Sequence, residues 1–120
     1  MNETIERFFK AMQRGPDGHE ELLALFADDA VYVEPFSPGG GVHEGKAAIR
    51  AWLPQSQENA PPDMRLTVDR IDAAEGVVEA AWTCESSAWA RPSRGRDRFT
   101  IENGRIVRLE TRLLEPPTPQ

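Results

Sequence analysis

Helical periodicity is confined to the first half of this chain, and the step Ala60-Pro61-Pro62 separates it from a second half that alternates like strands. That division restricts the fold more than any other feature, because a proline pair neither continues a helix nor fits a central strand. Ile5, Phe8, Phe9 and Met12 recur at i, i+3, i+4 and i+7, so they share one face of a first helix that Arg14-Gly15-Pro16 stops. Asp17 with Glu20 three residues on has the form of a capping box and predicts a second helix over about 18–27, with Leu22, Leu23, Leu25 and Phe26 on its apolar side. Ile49, Trp52 and Leu53 mark a third helix from Lys46, which Pro54 is expected to bend or end.

The β-branched run Val31-Tyr32-Val33-Glu34 predicts a short strand that loses its ladder at Pro35, followed by a loop over 37–41. Met64, Leu66 and Val68 alternate, 77–89 is a long strand-like run, and 96–102 and 105–114 flank Asn103-Gly104. Helices followed by a strand meander make an α+β fold, with one layer of helices over an antiparallel sheet. At 120 residues there is room for one domain, here 1–114, and the proline-rich end 115–120 is expected to be a flexible tail. Along 96–102 the inward face is Asp97, Phe99 and Ile101. A plain two-residue turn at Asn103-Gly104 would set Asp97 and Phe99 beside Arg108, Glu110 and Arg112. A three-residue loop with Gly104 left-handed and a bulge would align them with Val107, Leu109 and Leu113, and is therefore expected.

The excess of 20 acidic over 14 basic residues gives a net charge of −6, which repels phosphate backbones and anionic lipid, so no nucleic-acid or membrane partner is expected. Arg91, Arg94, Arg96 and Arg98 form a local basic cluster that reads as solvated charge around a turn. The N-terminal residues lack the apolar core of a signal peptide, and the lone Cys84 has no disulfide partner, so a reducing, cytoplasmic setting is expected. His19 and His43 lack ligand spacing and read as surface groups, so neither a metal nor another cofactor is expected.

Two acids stand out. Asp97 lies on an apolar strand face, where a carboxylate is costly unless it is paired, hydrogen-bonded or protonated, and Glu34 ends the first strand. Tyr32 is two residues before Glu34 and shares its side. Trp82 and Cys84 share a strand face that serves equally as core or as cavity wall. Phe8, Trp52 and Phe99 join them as candidate pocket-lining residues.

The run Leu25-Phe26-Ala27-Asp28-Asp29-Ala30-Val31-Tyr32-Val33-Glu34-Pro35, followed by Gly45-Lys46-Ala47-Ala48-Ile49-Arg50, resembles bacterial ketosteroid isomerases. These belong with nuclear-transport-factor-2-like and SnoaL-like domains. The resemblance implies a cone of helices and curved sheet around one pocket for a small apolar ligand. It also implies that Glu34, directly before proline, is the general base. Asp97-Arg98-Phe99 leading into Asn103-Gly104 is similar to the family's second motif, whose acid is the protonated oxyanion donor. Phe8 stands where the family has a tyrosine donor. An arginine two before the acid, as in related epoxide hydrolases, is replaced by Gly95, and no aspartate follows Asp97. The implied activity is isomerase-like proton transfer on a small carbonyl compound. A non-catalytic binding module and a polyketide-cyclase-like enzyme are the alternatives. Superfamily members often pair through the exposed sheet face, which implies a homodimer, with Glu79, Glu85 and Glu110 on that face.

Overall fold

The structure is a computed structural model and describes residues 2–58 and 60–119. Helix α1 (Asn2–Gln13) buries Ile5, Phe8, Phe9 and Ala11, as its periodicity predicts. It ends where Gly15 takes φ 66°, a left-handed conformation suited to glycine. A 3-10 turn (Gly15–Gly18) then leads into α2 (His19–Ala24). The expected capping box is not made, since Gly18 is the N-cap and no side chain caps the helix. Gly18 sits against the Ala11 carbonyl, where a Cβ would collide, so close packing of the turn on α1 chose the boundary. The second helix is also shorter than expected, because Phe26 is already in strand β1 (Phe26–Glu34).

Strand β2 (Gly41–Glu44), which begins at the last residue of the expected loop and has no counterpart among the expected strands, pairs antiparallel with β1, and α3 (Lys46–Glu58) packs on both. Pro54 does not end α3. The Arg50 carbonyl loses one donor there, but Pro54 is exposed and Ile49, Trp52 and Leu53 anchor the helix by burial. Asn59, the expected end of a redirected segment, lies outside the described residues.

Strands β3 (Arg65–Ala74), β4 (Val77–Glu85), β6 (Ser93–Glu102) and β7 (Arg105–Glu115) complete a six-stranded sheet of order β2-β1-β7-β6-β4-β3. Its pairs are antiparallel except β1 with β7, so the sheet is mixed, where a simple meander predicts a wholly antiparallel one. The parallel pair arises because β1 belongs to the helical half and closes against the last long strand. The run 77–89 breaks after Glu85, and Trp89–Arg91 forms a separate strand β5. Thr118–Pro119, in the segment expected to be a loose tail, forms β8 and pairs antiparallel with β5.

At Asn103-Gly104 both residues have positive φ, 53° and 77°, and Glu102 pairs with Arg105. This is the plain two-residue hairpin turn, so the expected three-residue loop is wrong. The register shift that motivated it is nevertheless present farther along the ladder. Ile101 pairs with Ile106 but Thr100 with Arg108, leaving Val107 as the extra residue of a bulge. That bulge sets Phe99 opposite Leu109 and Asp97 opposite Thr111. Hydrophobic burial decides the register, and Asn-Gly chemistry decides the turn. The core lies between the helices and the inner sheet face, where Phe8 meets Phe99 edge-on at 5.0 Å and Phe9 at 5.1 Å.

Candidate functional site

Glu34, at the end of β1, has a side chain with 0% exposure. Pro35 ends the ladder and the chain turns back, so the amides of Phe36 and Ser37 donate to Glu34 Oε1 at 2.7 and 2.8 Å. Ser37 Oγ donates to Oε2 at 2.6 Å, and His43 Nε2 lies 2.9 Å from the same oxygen. Gly41, the register partner of Glu34, leaves the space that the carboxylate fills, since a Cβ there would collide with Oε2. Burial alone would raise the Glu34 carboxyl. The hydrogen bonds from Ser37 Oγ, His43 and the two amides outweigh it and hold the group below its ordinary value. An ionised carboxylate only accepts, so the contact requires a proton on His43 Nε2.

His43 stands opposite Tyr32 in the β1–β2 ladder. Its ring lies 5.0 Å from that of Trp52 and 6.2 Å from that of Tyr32, and Tyr32 meets Trp52 edge-on at 5.2 Å. His43 is therefore not the surface group that its sequence context suggests. β-strand alternation through Val42-His43-Glu44 is the signal that would have found it.

Asp97 lies on the inner face of β6, flanked in register by Ala80 and Thr111. Trp82 Nε1 donates to its Oδ1 at 3.1 Å and Thr111 Oγ1 at 2.8 Å. Trp82 reaches it by lying over Gly95, where a Cβ would strike the indole and come within 2.6 Å of the Arg112 carbonyl. The glycine that departs from the Arg-x-Asp pattern thus makes room for the indole. Burial raises the Asp97 carboxyl from 3.8 to about 6, only partly offset by the Thr111 and Trp82 hydrogen bonds.

Thr111 Oγ1 also lies 3.4 Å from the Tyr32 hydroxyl. Its single proton serves the shorter contact with Asp97, so Tyr32 is the donor to Thr111. Burial, then the negative charge of Asp97, and to a lesser degree that of Glu34, raise the Tyr32 phenol despite the Thr111 contact, so it stays neutral. Thr111 was missed from sequence, although a polar residue at the inward position between Leu109 and Leu113 marks it.

Among the described residues, no donor reaches Asp97 Oδ2 and His43 Nδ1 has no partner. No fully enclosed side-chain nitrogen or oxygen among them lacks a partner, so both of these atoms border open space. Of the sequence-selected residues, Phe8, Tyr32, Trp52, Trp82, Cys84 and Phe99 are all buried. Burial pushes the Cys84 thiol up to about 11, which suits an inert filler. A depression of about 420 Å³ between α1 and β3 is lined by Ile5, Phe9, Val68 and Ile71 with three charged neighbours, and touches neither acid. No group of three or more potential metal ligands is found among the described residues, and none of their helices is long and apolar enough to cross a membrane.

Several solved structures share this fold. A Sinorhizobium meliloti protein carrying the provisional name polyketide cyclase is 22% identical, with TM-score 0.76 over 93% of this chain and 95% of that one. A Kribbella flavida protein carrying the provisional name ketosteroid isomerase is 20% identical, with TM-score 0.73 over 98% of this chain and 79% of that one. TerC, crystallised with polyporic acid, is 20% identical, with TM-score 0.73 over 92% and 91% of the two chains. A search of curated proteins found no significant match. The SnoaL-like domain family matches residues 5–109, which contain the two acids, His43, Tyr32 and the strands that position them, and the chain belongs to that family.

Proposed function

We propose that this chain catalyses proton transfer beside the carbonyl of a small apolar compound, with Asp97 as the group that moves the proton. The observation that carries this reading is the arrangement at Asp97. Both of its hydrogen bonds fall on Oδ1, while Oδ2 is unpaired and borders open space on the inner sheet face. A carboxyl raised to about 6 is half ionised at about pH 6 and mostly the carboxylate at pH 7, close enough to the working range for general acid–base catalysis.

The family resemblance assigns the base to Glu34 and the oxyanion donor to Asp97. Both Glu34 oxygens are engaged by four donors, so to take a proton Glu34 must break one of those bonds. That favours exchanging the roles, with Glu34 holding the turn and Asp97 moving the proton. Similarity in fold to proteins provisionally named for polyketide cyclisation and ketosteroid isomerisation is consistent with acid–base chemistry on a carbonyl compound. Phe8 favours a second reading, a binding module without turnover, because it packs on Phe99 and offers no donor to an oxyanion.

The test is isomerisation of a small β,γ-unsaturated cyclic ketone by the wild type, Asp97→Asn and Glu34→Gln. Loss of turnover in Asp97→Asn with a smaller loss in Glu34→Gln supports the proposed roles. The reverse order returns the base to Glu34. Tight ketone binding without any wild-type turnover establishes the binding module.

A further inference from the structure

The Glu34 cluster contains more than a clamp for a turn requires. Phe36 and Ser37 already tie the carboxylate to the turn through three donors. His43 adds a fourth contact from a different strand and keeps a second ring nitrogen free. Its ring orientation is fixed twice, by the Nε2 contact with Glu34 and by the aromatic faces of Trp52 and Tyr32. The side chain is 17% exposed, and Nδ1 has no partner among the described residues. A carboxylate that fixes one nitrogen of an imidazole sets its tautomer and stabilises its cation, leaving the other nitrogen to exchange protons. Tyr32 is the common neighbour of both candidate groups, with its ring against His43 and its hydroxyl linked through Thr111 to Asp97.

We propose that His43 is the second catalytic residue of this site, exchanging a proton through Nδ1 with the substrate's carbonyl oxygen, and that Glu34 is its positioning residue. This rests on the reading of Asp97 as the proton-moving acid. In the forward step the Asp97 carboxylate takes a proton from the carbon beside the carbonyl. The electron pair of that C–H bond moves into the new C=C bond, and the carbonyl π pair moves to oxygen. The protonated His43 ring gives its Nδ1 proton to that oxygen, which leaves an enol, a neutral imidazole and a protonated Asp97. Return of the Asp97 proton to a different carbon, with the oxygen proton going back to Nδ1, completes an isomerisation with no net change of charge. Glu34 stays ionised throughout and holds the ring through its Nε2–H.

The probe is 2-tetralone, whose acidic CH₂ beside the carbonyl exchanges with D₂O and is followed by proton NMR. Exchange is measured for the wild type, His43→Gln, Glu34→Gln, Glu34→Asp and Asp97→Asn, with circular dichroism as the check on folding. In parallel, two-bond proton–nitrogen spectra of histidine-labelled protein report the His43 tautomer, with His19→Gln assigning the signals. We expect the neutral ring to carry its proton on Nε2 and the Nδ1 resonance to move on saturation with 2-tetralone. His43→Gln should slow exchange roughly 100-fold or more, the range for losing a positioned acid–base group, Glu34→Gln roughly 10- to 100-fold, the range for losing a residue that orients one, and Glu34→Asp should recover part of the loss. Wild-type exchange in His43→Gln beside an inactive Asp97→Asn overturns the role of His43 and leaves Asp97 standing. Slow exchange in His43→Gln beside an unaffected Asp97→Asn keeps His43 and removes Asp97. An Nδ1–H tautomer, or an Nδ1 resonance that ignores 2-tetralone, overturns the proposal even if the His43 variant does not fold. Absence of exchange by the wild type overturns both readings.

Discussion

Asp97→Asn should make this protein more stable at neutral pH while removing its activity. The Asp97 carboxyl is raised from 3.8 to about 6 because ionising it on the inner sheet face costs more than Thr111 and Trp82 return. At about 1.4 kcal/mol per pH unit, that difference amounts to about 3 kcal/mol. The sign follows from proton binding. Between pH 3.8 and about 6 the folded state holds the Asp97 proton more tightly than the unfolded chain does, so stability falls as pH rises through this window. Below the window the penalty is absent, and above it the penalty is complete. Asparagine never ionises, and its amide oxygen can occupy the Oδ1 position and accept from Trp82 Nε1 and Thr111 Oγ1. The assay is urea unfolding of both proteins from pH 3.5 to 8, taking the difference so that the other carboxylates cancel. The variant's advantage should be near zero at the acidic end and approach about 3 kcal/mol above pH 7. A difference that does not change with pH would refute the raised carboxyl and, with it, the case for Asp97 as the proton-moving group.

Glu34→Gln should show the opposite trend. Its carboxyl is held below the ordinary value, so the stability it contributes is present near neutral pH and fades as pH falls through the carboxylate range, and the variant's deficit in the same titration should shrink toward acid. Thr111→Val removes one donor to Asp97 Oδ1, so the acidic limb of the pH–rate profile should move above about 6, with a stability change of roughly 1 kcal/mol. Gly95→Ala would push the Trp82 indole off Asp97 and should cost about 1–3 kcal/mol in thermal or urea unfolding, with a loss of turnover beyond what the stability change explains. Gly41→Ala should expel the Glu34 carboxylate from its four donors and convert the His43 tautomer signal to a mixture, which nitrogen-resolved NMR would show.

Local chemistry made much of this fold legible in the sequence. The spacing of Ile5, Phe8 and Phe9 placed α1, the alternation of Asp97, Phe99 and Ile101 placed the inner face of β6, and the order of helices before strands gave the α+β class. Tyr32 and Glu34 were also placed correctly on one side of β1, because strand alternation needs only near neighbours. What the tertiary structure alone decided depends on residues far apart in the chain. The parallel closure of β1 on β7 and the bulge at Val107 each answer to packing in the assembled core. The same holds for the chemistry of the two acids. Both are carboxylates at strand positions, but Gly41 leaves room for Glu34 to meet the donors of Phe36, Ser37 and His43, whereas Gly95 admits only Trp82, beside Thr111, to one oxygen of Asp97. A carboxylate's proton affinity is set by the donors and solvent within a few ångströms of it, and only the folded chain brings those groups there.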